Sequence, residues 1–303
     1  MTETPPPELV TDPVEPASRP TEPAINHLQL AVLSALLTAV LAAGSHLSSV
    51  GLLVAVAVIQ AVLIPSWVLG GALPGRIGAM ILGTLAAAGA DAATTHWPDS
   101  GYSPVLGVLA LAIPLMFAHQ LSRGVVRTRV VESMAGIAVL LIAVVALSGL
   151  IVLRRQGSGS TITLALIAAT GAGLVVDHLT DAVLPVPRFD PAIARGLPGV
   201  LAGVITGGLV GLLTLRHDID FAGGRSAFFG AAVAGVACLL SIGASFAESR
   251  TEPAGRGSED LLLDIVPSPV SSRLSRLRPA AAVALTIALT APAAYVLTNA
   301  LTG

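Results

Sequence analysis

Residues 132–153 read ESMAGIAVLLIAVVALSGLIVL, with one charge, Glu132, in 22 positions. As an α-helix this run is about 33 Å long, enough to cross the roughly 30 Å hydrocarbon core of a bilayer. No alternation of polar and apolar residues competes with the helical reading. Glu132 stands at its start, where an acid complements the positive end of the helix dipole.

Working outward, comparable runs lie at 28–45, 48–72, 75–94, 103–122, 161–185, 197–215, 225–247 and 280–301. Each is close to the ~20 residues a membrane span needs. The third contains Asp91, and the sixth contains Asp177, His178 and Asp181. The whole chain of 303 residues is 54% hydrophobic and 11% charged, with a mean hydropathy of +0.84. Soluble domains carry roughly 25% charged residues. Too little polar surface exists to cover a water-soluble enzyme, and a disordered chain is excluded as well. The expected fold is an all-α polytopic membrane protein of about nine transmembrane helices, seated in the cell membrane.

The formal net charge is −2, and no basic patch points to nucleic acid as a partner. The single cysteine, Cys238, excludes an internal disulfide and a cysteine-based zinc site. All sixteen basic residues are Arg. Any mechanism that requires lysine is therefore excluded.

Residues 1–26 hold seven prolines and five acids with one base, Arg19. Such a segment cannot bury a core and reads as a disordered cytoplasmic tail. It lacks the basic and apolar regions of a signal peptide. With the N-terminus inside, nine spans put twelve arginines on the inner side and four on the outer (Arg154, Arg155, Arg216, Arg225). This is the asymmetry of the positive-inside rule. The longest internal polar stretch is 248–279, a loop within the single transmembrane domain 27–303.

Three clusters are candidates for chemistry. Asp177 and Asp181 are four residues apart and share a helix face beside His178. Charges inside a span cost about 2.5–3.5 kcal/mol, which marks them as functional suspects. A helix that ends early would instead leave them at the headgroups. His217-Asp218-Ile219-Asp220 offers an Asp-x-Asp pair but reads as a solvated loop. Asp91 and His96 read as interfacial at the end of the third span, and His119, near Arg123, as close to a membrane surface. Gly199, Gly203, Gly207 and Gly211, spaced by four, form one helix face that lets a neighbouring helix approach closely. That neighbour is either part of this chain or a second copy.

The order of features over about 150–303 carries a resemblance. An arginine pair (Arg154, Arg155) precedes a span ending near Asp177. A proline-containing loop (Pro185, Pro187, Pro191, Pro198) and a glycine-rich span follow. The next span ends in Ala244-Ser245-Phe246-Ala247-Glu248-Ser249, before a polar loop and a last span. This resembles the phosphatidate cytidylyltransferase (CDP-diacylglycerol synthase) family. The resemblance implies synthesis of CDP-diacylglycerol from CTP and phosphatidic acid, with divalent metal held by acidic residues. Glu248 and Ser249 match the family's Glu-Ser pair. Arg273 and Leu274 match part of its Asp-Arg-x-Asp motif, and Glu259 keeps an acid.

The acids of the motif differ. Three family aspartates correspond to Ser245, Ser272 and Ser275. Glu252 and Pro253 stand where the family has Lys-Arg. The family's loop lysines fall near Asp190-Pro191-Ala192-Ile193 and are absent. A neutral hydroxyl holds Mg²⁺ far more weakly than a carboxylate, and phosphoryl chemistry needs such charge neutralisation. The expectation is a catalytically degenerate relative with no catalytic residues, metal or cofactor. It would act by binding a membrane lipid, such as an anionic phospholipid, or a membrane-protein partner or second copy. Asp177, Asp181, Glu248 and Arg273 are its candidate ligand-binding residues. Two alternatives stand beside it. One is an active cytidylyltransferase or related lipid enzyme, with Mg²⁺ on Asp177, Asp181, Glu248 and Glu259. The other is a small-solute or ion transporter in which Asp177 and Asp181 bind a cation or a proton.

Overall fold

The computed structural model describes residues 26–124, 129–190, 193, 195–222, 224–251 and 276–302, with side chains in the helix that ends this fourth long stretch described through 247. The tail read at 1–26, apart from Asn26, lies outside the described residues. So does most of the polar loop at 248–279, with Arg273, Ser272, Ser275 and Glu259.

The elements are α1 (His27–Leu47), α2 (Ser49–Gly70), α3 (Arg76–His96), α4 (Ser103–Ser122), α5 (Val130–Leu147), α6 (Gly149–Arg154), α7 (Gly159–Val183), α8 (Leu197–Thr214), α9 (Arg225–Thr251) and α10 (Arg278–Thr302). Among the described residues, nine helices are long and apolar enough to cross a membrane, α5 and α6 together forming one of them. The all-α polytopic class expected from composition is the fold observed. Span boundaries agree to within a few residues because bilayer thickness, rather than local propensity, sets helix length. The helix of the eighth span, which starts at Arg225, continues past the expected end, so Glu248 to Thr251 are helix rather than loop.

Side chains start the first two helices. Asn26 Oδ1 accepts the Gln29 N–H at 3.1 Å, and Ser48 Oγ accepts the Gly51 N–H at 2.9 Å. Ser48 is the only residue between α1 and α2, so these helices turn back sharply. Gly44 and Gly51 make the contact close enough: a methyl on Gly44 would sit against the Ala55 Cβ at 2.6 Å. Pro65, Pro114 and Pro292 lie inside α2, α4 and α10, a placement that helical neighbours in a membrane tolerate.

α7 is the hub of one half of the bundle and packs on α1, α8 and α9. α2, α3, α4 and α5 form the other half, and α10 joins the two through α9, α2 and α5. The main core runs across both halves, with Leu41, Leu52, Ile59, Leu140, Leu166, Phe229 and Ala288 fully buried. A smaller cluster of Ile193, Val200, Cys238 and Ile242 lies apart from it. Leu201, Ile205, Leu209 and Leu213 stay exposed along α8, as the lipid-facing side of a span requires.

The two ends of the bundle differ in charge. Arg76, Arg123, Arg129, Arg188, Arg195, Arg276 and Arg278 lie at the end where α1 starts and α7 finishes. Arg154, Arg155, Arg216 and Arg225 lie at the other. Contacts across helices tie each end together. Arg278 Nε donates to the Gly70 carbonyl at 3.1 Å, and the His27 and His178 rings sit 6.4 Å apart. At the opposite end Arg154 reaches Ser45 Oγ at 3.1 Å and Ser49 Oγ at 3.3 Å.

Candidate functional site

The segment joining α7 to α8 folds back beneath the bundle. The Phe189 N–H donates to the Arg195 carbonyl at 3.2 Å, and the Leu197 N–H to the Pro187 carbonyl at 3.0 Å. These bonds return the chain so that Arg195, the second residue before α8, points up against the last turns of α7. Its guanidinium donates to an Asp177 oxygen and to His178 Nδ1. Its Nε lies 3.2 Å from Asp181 Oδ2. Arginine has only donors, so His178 Nδ1 acts as acceptor and that nitrogen carries no proton.

The group is closed off from its surroundings. Asp177 is 0% exposed, and His178, Asp181 and Arg195 are each 1% exposed. Two carboxylates face one guanidinium, so the formal charge of the set is −1. Asp181 Oδ1 also accepts the Gly196 N–H at 3.0 Å, which places a carboxylate at the positive start of α8. Asp177 Oδ1 makes no hydrogen bond of good geometry among the described residues.

Glycines on α8 make room for this set. A methyl on Gly199 would collide with Asp181 Oδ1 and lie 2.7 Å from Asp177 Oδ1. A methyl on Gly203 would lie 2.7 Å from Cys238 Sγ and 3.2 Å from Asp177 Cβ. Further along, Gly207 and Gly211 face α9. Added methyls there would strike Ala234 and the Ser226 carbonyl, with Gly230 backbone atoms at 2.6 and 2.8 Å. The glycine stripe expected to seat a neighbouring helix therefore seats two helices of this chain, α7 at one end and α9 at the other.

The predicted residues fall out unevenly. Asp177 and Asp181 come together, as their spacing requires. Glu248 lies in the last turns of α9, but its side chain is outside the described set, as is all of Arg273. Ser245 Oγ donates to the Ser241 carbonyl at 3.0 Å and so bonds its own helix. In the loop after α8, Asp218 Oδ1 accepts the Asp220 N–H at 3.1 Å, an ordinary turn that matches the solvated reading. Glu132 pairs with Arg129 in the first turn of α5, where both are exposed. The His119 ring packs over Gly75 and Gly78 at the end of α4.

Arg195 was missed as a site residue and read only as one more inner-side base. A signal was available: two acids inside a span require a counter-charge, and Arg195 stands immediately before the next span. Asp91, near the end of α3 where the sequence places it, bonds to groups from α2 and the α5–α6 junction. No family model matches the chain, and no curated protein matches it.

Proposed function

We propose that the protein is a non-catalytic integral membrane protein, a divergent relative of the CDP-diacylglycerol synthases, that binds an anionic phospholipid at its arginine-rich end. The supporting observation is that Arg195 engages both carboxylates of the α7 face. A divalent metal on Asp177 and Asp181 would have to displace a buried guanidinium that is already paired and bonded. The hydroxyl of Ser245, at a position where the family has an acid, is turned to its own helix.

Arg76, Arg188, Arg276 and Arg278 are exposed around the same end. Under the positive-inside rule this end and the N-terminus face the cytoplasm. The cytoplasmic leaflet carries the anionic lipids that attract such clusters. Binding is tested by adding phosphatidic acid or phosphatidylcholine to the purified full chain in neutral detergent and following thermal unfolding. Phosphatidic acid is expected to raise the midpoint, and phosphatidylcholine to leave it unchanged. Arg76→Gln combined with Arg278→Gln is expected to weaken the response. An equal response to both lipids contradicts lipid-specific binding.

The formal negative charge of the closed set favours a second reading, a cation- or proton-coupled transporter. It requires substrate uptake by reconstituted protein that Asp177→Asn abolishes.

A further inference from the structure

Among the described spans α4 is the least covered, with 22% of its apolar stretch buried, and it packs chiefly on α3 and α5. Where α3 ends and α4 begins, two adjoining hollows of about 500 and 420 Å³ share Ala93, Trp97 and Val108. Those volumes fall in the range of small-ligand sites. Gly89 and Ala92 line the first, Gly107 and Leu111 the second. A methyl on Gly107 would meet nothing within 4 Å, and one on Gly89 only the Val108 methyls at 3.5 and 3.8 Å. The α8 glycines seat other helices of the chain, whereas these two border unfilled space.

The space is apolar within the span and polar at its mouth, where His96, Trp97, Ser100 and Ser103 stand at the α3–α4 turn. Trp97 is 55% exposed, and its ring meets His96 edge-on with centroids 4.8 Å apart. Tryptophan favours the depth of lipid headgroups. Asp99 is exposed on the same turn, and no base among the described residues lies within ion-pair distance of it. No arginine lines either hollow. An indole face and a free carboxylate attract an ammonium group, and serine hydroxyls donate to a phosphodiester. A headgroup with negative charge alone would find an acid here and no base.

A helix of a second copy fits this space poorly. With side chains a helix is about 10–12 Å across, and close approach needs small residues over several turns. On α3, Ile81 and Leu85 precede Gly89 at four-residue spacing; on α4, Leu111 and Leu115 follow Gly107 in the same way. All four are exposed. The small-residue stretch is thus confined to about two turns, roughly 11 Å, and bulky side chains flank its deep end.

We propose that this groove holds one acyl chain of a zwitterionic, amine-bearing phospholipid, with the headgroup at Trp97 and Asp99. The site lies at the arginine-poor end and is independent of the anionic-lipid reading above.

The test follows tryptophan fluorescence of the purified full chain in neutral detergent as phosphatidylethanolamine brominated on its acyl chains is added. Bromine quenches an indole it touches. Trp67, the other tryptophan, donates to the Gly136 carbonyl at 2.8 Å toward the opposite end, and Trp97→Phe measures its background. Quenching is expected to saturate and to be reversed by unbrominated phosphatidylethanolamine. Gly107→Leu fills the hollow and is expected to raise half-saturation at least tenfold. Gly243→Leu, placed where an added methyl also meets nothing within 4 Å, is expected to keep the native value. Asp99→Asn is expected to raise it about fivefold, the effect of one charge pair near water. Should Gly107→Leu fail to fold, the Asp99→Asn shift decides. Quenching that grows in proportion to lipid, alike in the native and Gly107→Leu chains, is ordinary solvation and overturns the site. Brominated phosphatidylglycerol that saturates at the same concentration overturns the headgroup assignment. A native dimer that Gly107→Leu splits puts a second copy in the groove and also overturns it.

Discussion

Arg195→Met is expected to destabilise the folded protein by roughly 3–5 kcal/mol, the loss found when one partner of a buried ion pair is removed. Asp177 and Asp181 would remain, both buried and with only the Gly196 N–H still bonded to one of them. The triple variant Arg195→Met, Asp177→Asn, Asp181→Asn is expected to recover most of that loss. Removing all the charges together removes the desolvation penalty along with the attraction. Thermal unfolding of the purified chains in detergent measures both. A single variant as stable as the native chain would show that Arg195 does not hold the carboxylates.

Gly207→Ala is expected to cost roughly 2–3 kcal/mol, at the upper end for one added methyl in a packed interior. The methyl would strike the Ala234 side chain and stand 2.6 Å from the Gly230 carbonyl. The second contact is with backbone, so no side-chain rotation relieves it, and α8 and α9 must move apart. Gly243→Ala on α9 is the matched control, because nothing lies within 4 Å of a methyl there. It is expected to be neutral or slightly stabilising, as Ala is the better helix former. Unfolding midpoints and the monodisperse fraction in size-exclusion chromatography compare the two. Equal behaviour would mean that α8 and α9 do not approach at Gly207.

The spans were legible because each is a length of apolar sequence matched to a bilayer, and length survives without knowledge of neighbours. The shared face of Asp177 and Asp181 was legible for a similar reason, since it follows from helical spacing alone. Arg195 was not, because its role depends on how the α7–α8 segment folds back, through the bonds of Phe189 and Leu197. The break at Ser148 was hidden inside 132–153, where Ser148 and Gly149 look like two small residues in an otherwise continuous helix. The groups that bond there, Gln60 and Asp91, lie on other helices, so no local pattern announces them. The glycine stripe sits between these cases. Its spacing announced close packing, while the identity of the partners, α7 and α9, required the tertiary structure.

Arg195 also bears on chemistry. It occupies the face where a relocated metal site would have to sit, which links the fold directly to the proposed loss of catalysis. The decisive measurement is CDP-diacylglycerol formation by the purified protein with CTP, phosphatidic acid and Mg²⁺, run beside an authentic synthase. The expected result is no product above background while the synthase turns over. Metal-dependent product that Asp177→Asn abolishes would contradict the non-catalytic reading and place Mg²⁺ chemistry on the α7 carboxylates.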